Sequence, residues 1–447
     1  MRFGAKHRRV GRGLIFGLAF FSLTAWAQNQ LPPGTQAPDT DQQTQSASTG
    51  RDVAEGKMEQ HDYPAARTLL QKYLASHPAD ARALFDLGYV EDATDHEDAA
   101  ATAYRKALGA DPKQFESHLA LGLLLAHQNK LDEAREELKK ATEASPDPPN
   151  PAAQAQAFRT LAQLERATDP PAARDALMSA MRLSAETPAD LLLTAQIAEA
   201  NGDTDVARSA YQRLLDSHPK PDLAAEANAG LAQLLLKEKK YAEAEPLLRS
   251  ALERDPRDAG LTAQLATALL GQGKTDEALP VIESLRRLEP ANTAVDQMLA
   301  DAYVQTGHPE KADPIYARMV QAHPDNEDIL AEQGENLIRE KRYPEAQQVL
   351  ERAVRLKSDD GDAWGALAFA CSENKQYEAA LQALSTRAKF LGETPASYFL
   401  WATSYDNLHQ QKQAKEYYQK FLAIADGKFP DQEWQARHRL VALGGSH

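Results

Sequence analysis

The 447-residue sequence predicts an all-α chain: one helix pair repeated about eleven times and closed by a C-terminal capping helix. Three observations predict it. Pro256, Pro290 and Pro324 stand 34 residues apart. The two intervals between them share a layout, with a small residue (Ala266, Ala300), then Ala278 or Ala312, then a large apolar residue four positions on (Ile282, Tyr316). Within one interval Leu265, Leu269 and Leu270 recur at helical spacing, Gly271-Gln272-Gly273 supplies a turn, and Leu279, Ile282 and Leu285 recur before Pro290. A period this long exceeds any single helix or strand and marks a repeated supersecondary unit.

Residues 1–27 have the pattern of a secretory signal peptide. Arg2, Lys6, Arg8, Arg9 and Arg12 form a basic start, Leu14 to Ala25 is an apolar run short for a membrane span, and Ala25-Trp26-Ala27 is a small-x-small cleavage site. Cleavage would make Gln28 the first residue and leave no stable membrane span. The alternative is an uncleaved anchor helix. Residues 28–46 are rich in Pro, Gln, Thr and Asp and nearly free of large apolar residues, so a disordered linker is expected.

Repeats one to three follow over 47–148. The first, with Tyr63, Ala66, Leu70 and Pro78, opens on a polar helix near Arg51 to Gln60, as a terminal cap should. Asp147-Pro148-Pro149-Asn150-Pro151 then breaks the register, and a degenerate fourth repeat with this insertion occupies 149–187; the proline linker is expected to interrupt the stacking. Repeats five to eleven fill 188–428, keeping the 34-residue step after Pro324 but losing the proline. A capping helix and tail take 429–447, with Trp434, Leu440 and Val441 expected on one apolar face.

The layout resembles the tetratricopeptide repeat (TPR), of an exported bacterial type. Leu84, Leu87-Gly88, Ala100, Tyr104, Ala107 and Pro112 carry the resemblance in 81–114. Leu121-Gly122, Asn129, Leu131, Ala134, Leu138, Ala141 and Pro146 carry it in 115–148. It implies a right-handed superhelical solenoid whose first helix of each pair lines a concave groove, and a protein or peptide as partner. Carried over position by position, the groove candidates are Phe85, Tyr89, Leu119 and Leu123 near the start, then Gln163, Gln196, Gln233, Gln264, Thr267 and Gln297. Asp301, Asp328, Glu332, Glu335 and Asp362 follow, with Phe369 and Phe399 beyond. Such a groove is apolar, then amide-lined, then acidic. Amides donate and accept at once, which suits the backbone of an extended segment. The chaperone-binding members grip a C-terminal carboxylate with Lys and Asn; the corresponding positions here hold Arg51, Glu55, Asp86, Glu116 and Ala120, so that clamp is absent.

The formal charge of −15, about −20 after cleavage of five basic residues, argues against nucleic acid as partner. The single Cys371 excludes an intramolecular disulfide and has no nearby His or Cys to make it a nucleophile. Gly271 to Thr275 imitates the end of a phosphate-binding loop, but the required earlier glycine is Ala268 and no strand precedes it. His77, His218 and His323 each precede a proline in different repeats, too far apart to share an ion, and read as helix C-terminal residues. No metal, cofactor or catalytic constellation emerges, so the chain reads as a non-enzymatic, exported interaction scaffold in the periplasm or outside the cell. The alternatives are an envelope-biogenesis assembly factor or carrier, as in polysaccharide export or pilus assembly, and an enzyme with a groove-located site.

Overall fold

A computed structural model describes residues 50–444; the expected signal peptide and linker lie outside the described residues. Every element among these is an α-helix, and none is long and apolar enough to cross a membrane. The chain forms two compact units, one ending at Gly230 and the other beginning at Leu231.

The helices come as eleven pairs and a single last helix. The pairs are α1 (Gly50–Glu59) with α2 (Tyr63–Ser76), α3 (Ala81–Asp92) with α4 (Glu97–Ala110), and α5 (Phe115–His127) with α6 (Leu131–Glu143). Next come α7 (Pro151–Glu165) with α8 (Pro170–Leu183), α9 (Pro188–Asn201) with α10 (Thr204–Asp216), and α11 (Pro221–Lys237) with α12 (Tyr241–Arg254). The rest are α13 (Ala259–Gly271) with α14 (Thr275–Leu288), α15 (Thr293–Gln305) with α16 (Pro309–Ala322), and α17 (Glu327–Arg339) with α18 (Tyr343–Leu356). Last are α19 (Gly361–Glu373) with α20 (Tyr377–Arg387), α21 (Pro395–Asn407) with α22 (Gln411–Ala425), and α23 (Pro430–Gly444) alone. Within each compact unit the helices pack in chain order.

One contact recurs through both. A small buried residue on the first helix of a pair meets a large buried residue on the second. In the first compact unit the small residues are Ala54, Gly88, Gly122, Ala162 and Ala195, and their partners are Leu70, Tyr104, Leu138, Leu177 and Tyr211. In the second, the buried Ala232, Ala266, Ala300, Gly334, Ala368 and Ala402 stand sixteen residues before the buried Leu248, Ile282, Tyr316, Leu350, Leu384 and Tyr418. A Cβ on Gly88 would lie 2.5 Å from the Tyr104 ring, and one on Gly334 would lie 2.4 Å from Leu350. The small side chain is what lets the two helix axes approach.

Two further devices repeat in register. Seven residues after the small residue, the turn between helices holds a left-handed backbone at His61, Asp95, Asn129, Gly202, Lys239, Gly273, Gly307, Lys341, Lys375 and His409, with φ between 58° and 82°. Gly271-Gln272-Gly273 is such a turn, as expected. Side chains at Asp258, Asn292, Asn326, Asp360 and Thr394, again 34 residues apart, accept a backbone N–H of the helix that follows. Each cap contributes about 0.5–2 kcal/mol. The cap persists where the proline two residues earlier has become Ser358 or Gly392, so the repeat survives loss of its most visible mark.

The proline insertion does not interrupt the stacking. One apolar cluster, including Phe115, Leu138, Leu161, Leu177 and Ile197, runs from α5 to α9 across it. Asn150 caps α7 through the Ala153 N–H at 3.0 Å, and Lys139 of α6 pairs with the buried Glu165 of α7 at 3.2 Å. The fourth pair differs in its turn, where Asp169-Pro170-Pro171 replaces the left-handed residue and Asp169 caps α8 instead. On α23 the inward stripe is Glu433, Ala436 and Leu440, while Trp434 is 64% and Val441 is 77% exposed. At about 100° per residue, Trp434 and Val441 share one stripe and cannot share it with Leu440.

Substitution of Gly88 by Val should destabilise the fold by about 1–3 kcal/mol through overpacking against Tyr104. Gly56, in the middle of α1 with nothing within 4 Å of its Cβ position, is the control. Gly56→Ala should stabilise by about 0.5–1 kcal/mol. Urea unfolding of the two variants checks both signs.

Candidate functional site

The residue directly after each small residue is one step of about 100° round the helix, which carries it out of the packed face. In the first compact unit this line reads Glu55, Tyr89, Leu123, Gln163, Gln196; in the second it reads Gln233, Thr267, Asp301, Glu335, Phe369, Thr403. None of these is buried. The line is therefore legible from the small residues alone, although Thr403 was not singled out in the sequence.

Other expected groove residues are core. Phe85 is 7% exposed and packs on the Tyr104 ring at 5.8 Å, and Leu119 is 5% exposed. They lie four residues before the exposed line, a position that here turns inward. Tyr89 and Leu123 are half-buried, with Tyr89 edge-on to Tyr63 at 6.4 Å. Burial, then Tyr63, push the Tyr89 hydroxyl up to about 12. Gln196 accepts a hydrogen bond from Arg166. Glu116 is half-buried, and Ala120 belongs to the core.

In the second compact unit a set of carboxylates comes together on α15 and α17. Gln297 donates to Asp301 at 3.1 Å, and its amide favours the charged forms of both Asp301 and Glu332. Even so, loss of water against the neighbouring helices raises both carboxyls above the usual range. Asp301, Asp328 and Glu335 add their repulsion at Glu332. Asp301, Glu332 and Glu335 also push the Tyr316 hydroxyl up after burial has done so. Arg339 partly offsets them, pairing with Glu335 at 3.2 Å, and Lys357 pairs with Asp328 at 3.3 Å. Glu332 and Glu335 are thus half-buried rather than free in solvent.

Gln264 is half-buried on α13, Gln233 is exposed on α11, and Asp362 is exposed at the start of α19. Phe369 is 39% exposed and edge-on to Tyr343 at 6.1 Å. Phe399 packs on Tyr418 and Phe421 at 6.2 and 5.1 Å, so it serves the core of the last pair. Cys371 is buried; burial and Glu351 raise its thiol to about 11, which makes it a poor nucleophile. His77 and His323 end α2 and α16, as the helix-terminal reading expects. Among the described residues no three His, Cys, Asp or Glu side chains are placed to hold a metal ion.

Residues 54–114, 95–149 and 192–259 match one tetratricopeptide-repeat family model, and residues 235–288, 269–331 and 337–396 match a second. The chain belongs to the tetratricopeptide repeat family. Solved structures of similar fold include that of PilF from Pseudomonas aeruginosa, at 20% identity over 49% of this chain and 100% of that one, with a TM-score of 0.39. YrrB, described as a TPR protein with an unusual peptide-binding site, is 20% identical over 46% of this chain and 100% of its own, with a TM-score of 0.38. MamA from Desulfovibrio magneticus RS-1 is 16% identical over 37% and 94%, with a TM-score of 0.35. No curated protein sequence matches the chain.

At the N-terminal end of this TPR chain one carboxylate gives a pH prediction. Asp86 is 2% exposed on α3, with one oxygen 3.6 Å from Arg82 Nε. Burial, with Glu55 adding to it, pushes its carboxyl up to about 7 against the pull of Arg82 and Arg51. The folded state therefore holds a proton that the unfolded chain has released above the ordinary carboxylate range. Stability from this group is present at low pH, is lost as pH rises to about 7, and is level beyond. Asp86→Asn should flatten that fall in a comparison of urea midpoints between pH 5 and pH 8.

Proposed function

We propose that this chain is an exported interaction scaffold that holds a basic, extended protein segment on the first-helix face of its second compact unit. The observation that carries the reading is the grouping of Asp301, Glu332 and Glu335 on α15 and α17, where loss of water raises the first two carboxyls and the repulsion of its neighbours raises Glu332 further. A fold stores such repulsion at a cost, and a cationic ligand relieves it. The Gln297 amide and the exposed Phe369 ring add a polar and an apolar contact on the same face of the repeat. Partner recognition by TPR chains supports a protein as ligand; the sign of the charge is this chain's own.

The probe is a fluorescent Lys-rich peptide, read by anisotropy, against a Glu-rich peptide of the same length. Exposed charge pairs contribute about 0.2–1 kcal/mol each, so Glu332→Gln with Glu335→Gln should lower affinity about two- to thirtyfold. Binding should weaken with salt, because screening is strong beyond about 8–10 Å at ordinary ionic strength. It should also fall on acidification sooner than an ordinary carboxylate would dictate, as Glu332 takes up its proton. The single Glu332→Gln change should raise the melting temperature at pH 7, since it removes a charge the fold disfavours. Equal binding in high salt and in the double variant would show the acidic face to be merely solvated.

Export rests on the basic start, apolar run and small-x-small site of residues 1–27. Mass spectrometry of the protein from cells should find Gln28 at its N-terminus; a chain that still begins at Met1 would refute cleavage.

A further inference from the structure

The irregular fourth repeat leaves an apolar cavity among α8, α9 and α10, on the second-helix side and away from the exposed first-helix line. Its floor is Leu177, Met181, Ile197 and Ala198, and its mouth is formed by Met178 and Val206, 47% and 52% exposed. Few large apolar side chains of the first compact unit are this exposed, and these two converge on one hollow. Single exposed apolar residues need no explanation, but a concave cluster of them does.

We propose that this cavity is a second docking site, which takes one phenyl-sized side chain from a partner polypeptide. Its size sets the anchor. The volume is about 160 Å³, and an apolar protein cavity of about 150 Å³ accommodates benzene. Two thioethers, Met178 and Met181, let the lining adjust to a ring. The mouth sets the class of ligand. A free aromatic molecule would leave the rim of Met178 and Val206 wet, whereas a chain carrying the anchor lies across both. The rim also holds Arg174 on α8, 3.7 Å from Asp175, and Asp203 before α10, which accepts from Asn201 at 2.6 Å, so an anchor flanked by one acidic and one basic residue meets a complementary charge on each side in exchange for these exposed contacts. The cavity accompanies the Pro170-Pro171 turn, which lines one wall and is the turn without a left-handed residue among the first ten pairs up to α20.

The methionines report occupancy. In the full chain labelled with ¹³C at the methionine methyls, acetyl-Glu-Phe-Lys-amide should give saturable shifts at Met178 and Met181, with Met298 and Met319 unmoved. Binding at the millimolar level is expected, at least tenfold tighter than for acetyl-Glu-Ala-Lys-amide. Val206→Glu and Met178→Lys, both at exposed positions that leave the fold intact, should each weaken it at least tenfold. Absence of saturation at Met178 and Met181, equal shifts from the alanine peptide, or unchanged binding in both variants would overturn the site. Benzyl alcohol binding as tightly as the phenylalanine peptide would overturn the assignment to a polypeptide.

Discussion

The fold depends on one contact, a residue without bulk on the first helix of each pair lying under a large apolar residue on the second. Helices can stack in series only if each approaches its neighbours closely enough to exclude water, and that distance is set by the side chains at the crossing. At Gly88, Gly122 and Gly334 even a Cβ would collide with Tyr104, Leu138 or Leu350. Alanine serves at the other crossings, where it is wholly or almost wholly buried. The left-handed turn and the side-chain cap then fix where each helix ends and the next begins. Because these are local devices, each repeat carries its own instructions, and the chain tolerates the loss of a proline or the gain of a short insertion.

The same contact determines what the scaffold offers to a partner. Once the small residue is locked inward, its successor must emerge, whatever its chemistry. Packing therefore puts little restraint on that position, and the sequence varies it from Tyr89 through Gln196 to Asp301, Glu335 and Phe369. In the second compact unit the variation concentrates carboxylates on adjacent helices. Burial raises the proton affinity of Asp301 and Glu332, and Gln297, Arg339 and Lys357 answer the group nearby.

The fourth repeat shows how such an array acquires a local peculiarity. Its core is continuous with its neighbours, from Phe115 through Leu161 to Ile197, so the apolar packing runs through the irregularity. It appears instead at the turn and on the surface of the second helices, where Pro170, Met178 and Val206 enclose a hollow. Departures from the repeat are absorbed where water can fill the gap.

Repeat length, helix pairing and the crossing positions were determined by the sequence alone, because they rest on periodic local signals: a small residue, a large one fifteen or sixteen positions on, a turn former and a stop. The N-cap series from Asp258 to Thr394 was equally present but hidden behind the more conspicuous prolines. The tertiary structure alone decided which side chains share an environment. Phe85 and Leu119 were expected in a groove and are core, because a residue four positions before the exposed line can turn either way depending on the helix beside it. Trp434 and Val441 were expected inward and face outward, since the stripe of α23 is chosen by what α22 presents. The grouping of Asp301 with Glu332 and the hollow between Met178 and Val206 each join residues about thirty positions apart, and no local period records a distance across neighbouring helices.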